Sequence, residues 1–118
     1  MREAFCLSYK FFKEGNTLKN YKLIELWGTE VWIEFSDHSL DRIRDRNIIK
    51  DLVIDTIKSA EEELGEVKIN QDFVIINTFA NITVAGIFTR ADEILIKTVV
   101  NKGENFHPRE KDIVIKLS

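Results

Sequence analysis

Apolar positions alternate with a period of two along several stretches of the chain and recur at helical spacing along one. Residues 4–12 (AFCLSYKFF) place Phe5, Leu7, Tyr9 and Phe11 on one side, and Glu14-Gly15-Asn16 closes the run, which predicts a strand. Residues 21–35 read as a hairpin. With Gly28-Thr29 as a two-residue type II′ loop, Leu26 faces Val31 and Ile24 faces Ile33, while Trp32 lies beside Glu25 and Glu34 beside Leu23 on the other face. Ser36 or Asp37 then caps a short helix that runs through Arg46 and stops at Asn47, a residue tolerant of left-handed backbone.

A second helix is expected over residues 48–64. Ile49, Leu52, Val53, Ile57, Ala60 and Leu64 fall on one face, and Gly65 stands where a helix stop belongs. Glu61, Glu62 and Glu63 oppose the helix dipole there and read as a solvated face or as a surface for a partner. Residues 73–78, 82–89, 94–100 and 112–117 are rich in Ile, Val, Phe and Thr and predict four more strands, the last two separated by a polar loop. The expected fold is α+β: one domain over residues 1–118, an antiparallel sheet with two consecutive helices packed on one face, in the order β-β-β-α-α-β-β-β-β.

Composition narrows the function. The 118 residues suit one core, and 44% hydrophobic with 31% charged residues is the profile of a folded globular chain. A net charge of −3 offers no general attraction to nucleic acid or an anionic membrane, so any nucleic-acid binding rests on a local basic groove. Cys6 is the only cysteine, which rules out an intrachain disulfide and a thiolate metal cluster, and its apolar surroundings make it a packed residue. No apolar run approaches the roughly 20 residues that span a bilayer. Without a signal-peptide pattern, the cytoplasm is the expected compartment.

The chemistry concentrates in residues 36–48. His38, Arg42 and Arg46 recur at steps of four, so on a helix they share one ridge that suits phosphate binding and proton transfer. Asp37, Asp41 and Asp45 alternatively make it a wet face of surface ion pairs. Gly-rich phosphate loops, His-Glu-x-x-His and nucleophile-elbow contexts are missing, and His38 and His107 lie far apart, so neither metal nor cofactor is expected. What remains is metal-free phosphoryl transfer, with His38 titrating near neutrality and Arg42 and Arg46 as a phosphate clamp. On the C-terminal strands Arg90, Lys97 and Thr98 interrupt apolar runs, and His107 and Arg109 sit in the loop beyond. Strand alternation sends Lys97 and Thr98 to opposite faces, so at most one looks into a given groove.

The block Ser36-x-His38-x3-Arg42-x3-Arg46-Asn47-Ile48, followed by an apolar helix, resembles the Ser-x-His-x3-Arg-x3-Arg-Gly-Ile opening of a family of small bacterial and phage domains. These are similar to RelE/ParE-type toxins and colicin-type ribonuclease domains, the BECR fold. Lys97-Thr98-Val99-Val100, Asn105-Phe106-His107-Pro108 and Asp112-Ile113-Val114-Ile115 look like the closing strands of such domains. The resemblance covers roughly residues 31–117, with Asn47 in place of the usual glycine and Ile49 in place of a serine cap. It implies a metal-independent endoribonuclease, or a relative that has lost catalysis, with RNA as substrate and an antitoxin or host factor as protein partner. His38 and Arg42 carry over as active-site candidates, with Arg46 supporting. Lys97, Thr98 and His107 are further catalytic candidates, and Arg90 and Arg109 substrate-binding ones.

The competing reading is a non-catalytic protein-binding module of phage or mobile-element origin. Catalysis requires a positive groove holding His38 and Arg42, whereas docking requires an exposed apolar patch around Trp27, Trp32 or Phe12. An exposed edge strand, the first or the last, would also serve a homodimer.

Overall fold

The computed structural model describes residues 20–101 and 107–117. The strand expected over residues 4–12, with Cys6 and Phe12, lies outside them. Among the described residues, six strands and three helices follow in order: β1 (Tyr21–Leu26), β2 (Thr29–Phe35), α1 (Asp37–Asp45), α2 (Lys50–Ser59), α3 (Glu61–Leu64), β3 (Asp72–Asn77), β4 (Ile82–Arg90), β5 (Glu93–Val100) and β6 (Ile113–Leu117). The α+β class holds, and the four C-terminal strands begin and end within a residue or so of their predicted bounds.

The sheet is mixed, not antiparallel. Its order is β1-β2-β5-β4-β3-β6, with β2 parallel to β5 and β3 parallel to β6. The reason is the excursion between β2 and β3. The chain leaves β2 through the helices, returns along the antiparallel β3–β4–β5 meander, and β5 then enters beside β2 in the same direction.

The core lies between the helices and one sheet face. Ile24, Leu26, Val31, Ile33 and Phe35 from the hairpin meet Phe73, Ile75, Val84, Phe88, Ile94 and Ile96 from the later strands. Val53, Ile54 and Ile57 of α2 and Leu64 of α3 close over them, each buried side chain contributing about 1.5–3 kcal/mol. Part of the opposite face is withdrawn from water too, since Trp32, Val74, Ile76 and Thr83 are buried. Trp32 is therefore no exposed patch.

Two expected details shift. The hairpin turn is Trp27-Gly28, both with positive φ (55° and 73°), so Ile24 pairs with Val31 and Leu26 with Thr29. The register slips by two residues, an even number, and every side chain keeps its predicted face. A bulky residue in left-handed backbone costs on the order of 1–3 kcal/mol. The Trp27 backbone N–H donating to the Glu61 carboxylate and the indole N–H donating to the Glu61 carbonyl at 2.8 Å offset that cost.

The second predicted helix breaks at Ala60 (φ −97°, ψ 15°) into α2 and α3. Continued unbroken, it would set Glu61, Glu62 and Glu63 against the negative end of its dipole; restarted, it places them in a first turn, where acids are favoured.

Candidate functional site

Helix α1 is held where the sequence motif implies. Ser36 Oγ accepts from the Ser39 backbone N–H at 3.1 Å, and the buried Ser39 hydroxyl returns a bond to the Ser36 carbonyl at 2.8 Å. The helix ends on Asn47 at φ 56°, with Ile48 N–H closing on the Ile43 carbonyl at 2.9 Å, the Schellman pattern. Ser36 also fastens the helix to the sheet. Its hydroxyl donates to the Lys97 carbonyl at 3.2 Å and its backbone N–H to the Ile96 carbonyl at 3.1 Å. Replacing Ser36 by alanine is expected to cost about 1–2 kcal/mol and to quicken amide exchange along α1. Urea midpoints and hydrogen exchange check this; an unchanged midpoint would mean the cap contributes nothing.

His38 and Arg42 project from this helix together, and Arg46 stands at its C-cap. Arg42 Nε donates to His38 Nε2 at 3.3 Å, which makes that nitrogen the acceptor of the contact. Arg46 Nη1 donates to Asn101 Oδ1, just past the end of β5, at 3.0 Å. The neighbouring aspartates do not neutralise this ridge. Asp41 and Asp45 both turn to the exposed Arg44, at 3.2 and 3.5 Å. Among the described residues no carboxylate lies within ion-pair distance of Arg42 or Arg46.

Lys97, Thr98, His107 and Arg109 form a second group. They border a cavity of about 260 Å³ floored by Val74, Ala85 and Gly86 and walled by Asp72 and Asp112. Both Lys97 and Thr98 reach it, against the alternation expected of a strand. The cause is a β-bulge: Ala85 pairs with Thr98 but Gly86 with Ile96, so Lys97 is an extra residue that resets the alternation. Here each cation has a carboxylate. Lys97 Nζ lies 2.8 Å from Asp72 Oδ1, and Arg109 Nη2 lies 3.3 Å from Asp72 Oδ2 and 3.2 Å from Asp112 Oδ1. The Arg109 guanidinium is held above its ordinary pKa by its hydrogen bond to Asp112 and by the charges of Asp112 and Asp72. Lys97 and Arg109 are thus cancelled by two aspartates, and this cavity attracts an anion less than the helix ridge does. His107 stands exposed at its rim.

Arg90 belongs to neither group. It lies at the β4–β5 turn, 4.0 Å from Asp92, as an exposed turn charge. Asn101 and Asp72 escaped the sequence reading; Asn101 follows a strand directly, but only the path of α1 along β5 marks it as a partner of Arg46. No group of three or more His, Cys, Asp or Glu side chains among the described residues is placed to hold a metal ion, and no described helix is long and apolar enough to cross a membrane.

No protein-family model, curated protein or solved structure matches the chain.

Proposed function

We propose that the protein is a RelE/ParE-like domain that binds RNA along the α1 ridge and cleaves it without a metal, or descends from a domain that did. One observation carries this reading: Arg42 and Arg46 leave the aspartates of their own helix to Arg44, and Arg42 instead contacts His38. Guanidinium groups with no carboxylate partner suit the bidentate recognition of phosphate oxygens. A phosphodiester that engages Arg42 draws it from His38 Nε2 and frees the lone pair a general base needs. His38 then takes the proton of the ribose 2′-hydroxyl as that oxygen attacks the adjacent phosphorus. The bond to the 5′-oxygen breaks, leaving a 2′,3′-cyclic phosphate, while Arg42 and Arg46 balance the charge of the phosphorane. The leaving 5′-oxygen takes its proton from solvent water, because His107 stands in the separate group around Asp72, Lys97 and Arg109.

Incubation of the full chain with total RNA in EDTA tests this reading. Cleavage to cyclic-phosphate ends is expected, falling at least about tenfold in a His38→Ala, Arg42→Ala double variant, since a general base is worth more than that. RNA binding without cleavage, lost in an Arg42→Ala, Arg46→Ala variant, would assign the domain to the catalytically lost branch. Equal cleavage by both proteins, or neither binding nor cleavage, would reject the pair.

A further inference from the structure

A second cavity, of about 560 Å³, opens at the other end of the helix layer, where Trp27, Leu64, Val67, Ile69 and Phe88 supply an apolar lining. Trp27 is 41% exposed and Ile69 54%, so the groove presents two large apolar side chains to solvent. The tryptophan is held there at a cost. A type I′ turn is best served by Asn-Gly, yet this one carries Trp27 in left-handed backbone. Its indole is pinned by the Glu61 carbonyl and lies 6.2 Å, tilted, from the Phe88 ring. Backbone strain that serves to present a side chain marks a working surface.

The charge around the groove is mostly negative, and the acids have few partners. Glu62, Glu63 and Glu66 are exposed beside it, and none has a cation within ion-pair distance among the described residues. Glu25 and Glu30 flank the Trp27 turn directly opposite one another, a like-charge pair that disfavours the hairpin and likewise has no such cation. Lys68, which borders the groove, is its single lining cation.

We propose that this groove docks a cationic amphipathic segment of a partner protein. An apolar side chain of that segment seats against Trp27 and Ile69, and its lysines or arginines meet Glu62, Glu63 and Glu66. The groove is separate from the α1 ridge, so docking and RNA chemistry stand or fall independently.

The test titrates the full chain against a labelled synthetic peptide with leucines and lysines at helical spacing, and against its counterpart with glutamate for lysine. The lysine peptide is expected to bind saturably. Its affinity should fall about tenfold in Ile69→Gln, which keeps the charge, and in Trp27→Asn, which keeps the turn. A Glu62→Gln, Glu63→Gln, Glu66→Gln variant should lose affinity and salt dependence together. No binding, equal binding of the glutamate peptide, or affinity insensitive to Ile69→Gln would overturn the proposal. Self-association abolished by Ile69→Gln would overturn it in favour of a second copy of this chain.

Discussion

Replacing Gly86 by alanine is expected to destabilise the protein by about 2–3 kcal/mol, a large share of the 5–15 kcal/mol that holds a domain together. A Cβ at this position would sit 2.9 Å from the Leu95 carbonyl oxygen and 3.0 Å from Phe73 Cζ. The first contact is with the backbone of a paired strand and the second with a ring that is 0% exposed, so neither neighbour can step aside cheaply. Restricting the unfolded chain returns only about 0.4–1 kcal/mol. The site feels the change as well, because Gly86 pairs with Ile96 just before the bulge that turns Lys97 toward the cavity. A lower urea midpoint at an unchanged slope is the predicted signature. Adding Phe73→Leu would relieve one of the two contacts and recover part of the loss. A midpoint equal to that of the unaltered protein would show that the strands open freely at Gly86.

Much of the strand content was legible because these segments are short, β-branched and bounded by turn residues. Residues 73–78 and 82–89 read as strands on composition alone. Helix α1 was legible for a different reason, since Ser36 and Asn47 carry their capping chemistry in their own side chain and backbone. Direction and register were not. A local reading pairs each strand with its neighbour in sequence, whereas β2 finds its partner β5 only after the chain has passed through three helices and two strands. The hairpin turn shows the same limit. Glycine in the first central position favours Gly28-Thr29, but Glu61, 34 residues from Trp27, stabilises Trp27-Gly28 instead. Tertiary contacts overrode turn propensity there.

The candidate site divides along the same line. The spacing of His38, Arg42 and Arg46 suggests one ridge because helical geometry acts within a few residues; His38 and Arg42 meet on α1, while Arg46 is its C-cap and turns to Asn101. Which arginine the aspartates choose was not readable. Asp41 and Asp45 are within helical reach of more than one guanidinium, and they settle on Arg44. Strand alternation sends Lys97 and Thr98 to opposite faces only in a regular ladder, and the bulge breaks that ladder. The joining of Lys97 to Arg109 through Asp72 depends on β3 lying between β4 and β6, a fact of sheet order with no local signal.

Truncating Phe73 to alanine should cost about 3–5 kcal/mol, the range for emptying a buried aromatic site. Its ring is fully enclosed and lies 5.7 Å from that of Phe88. The cavity left behind cannot be filled from the backbone side, where Gly86 offers no side chain to move in. Because Phe88 also packs on Trp27, the vacated volume lies one ring away from the apolar groove. Phe73→Ala is therefore expected to lower the urea midpoint and to shift the Trp27 indole resonance together. Phe73→Leu, which keeps more of the volume, should do less of both. A lowered midpoint with an unmoved indole signal would show that Phe88 holds its place without Phe73, and that core and groove are mechanically independent.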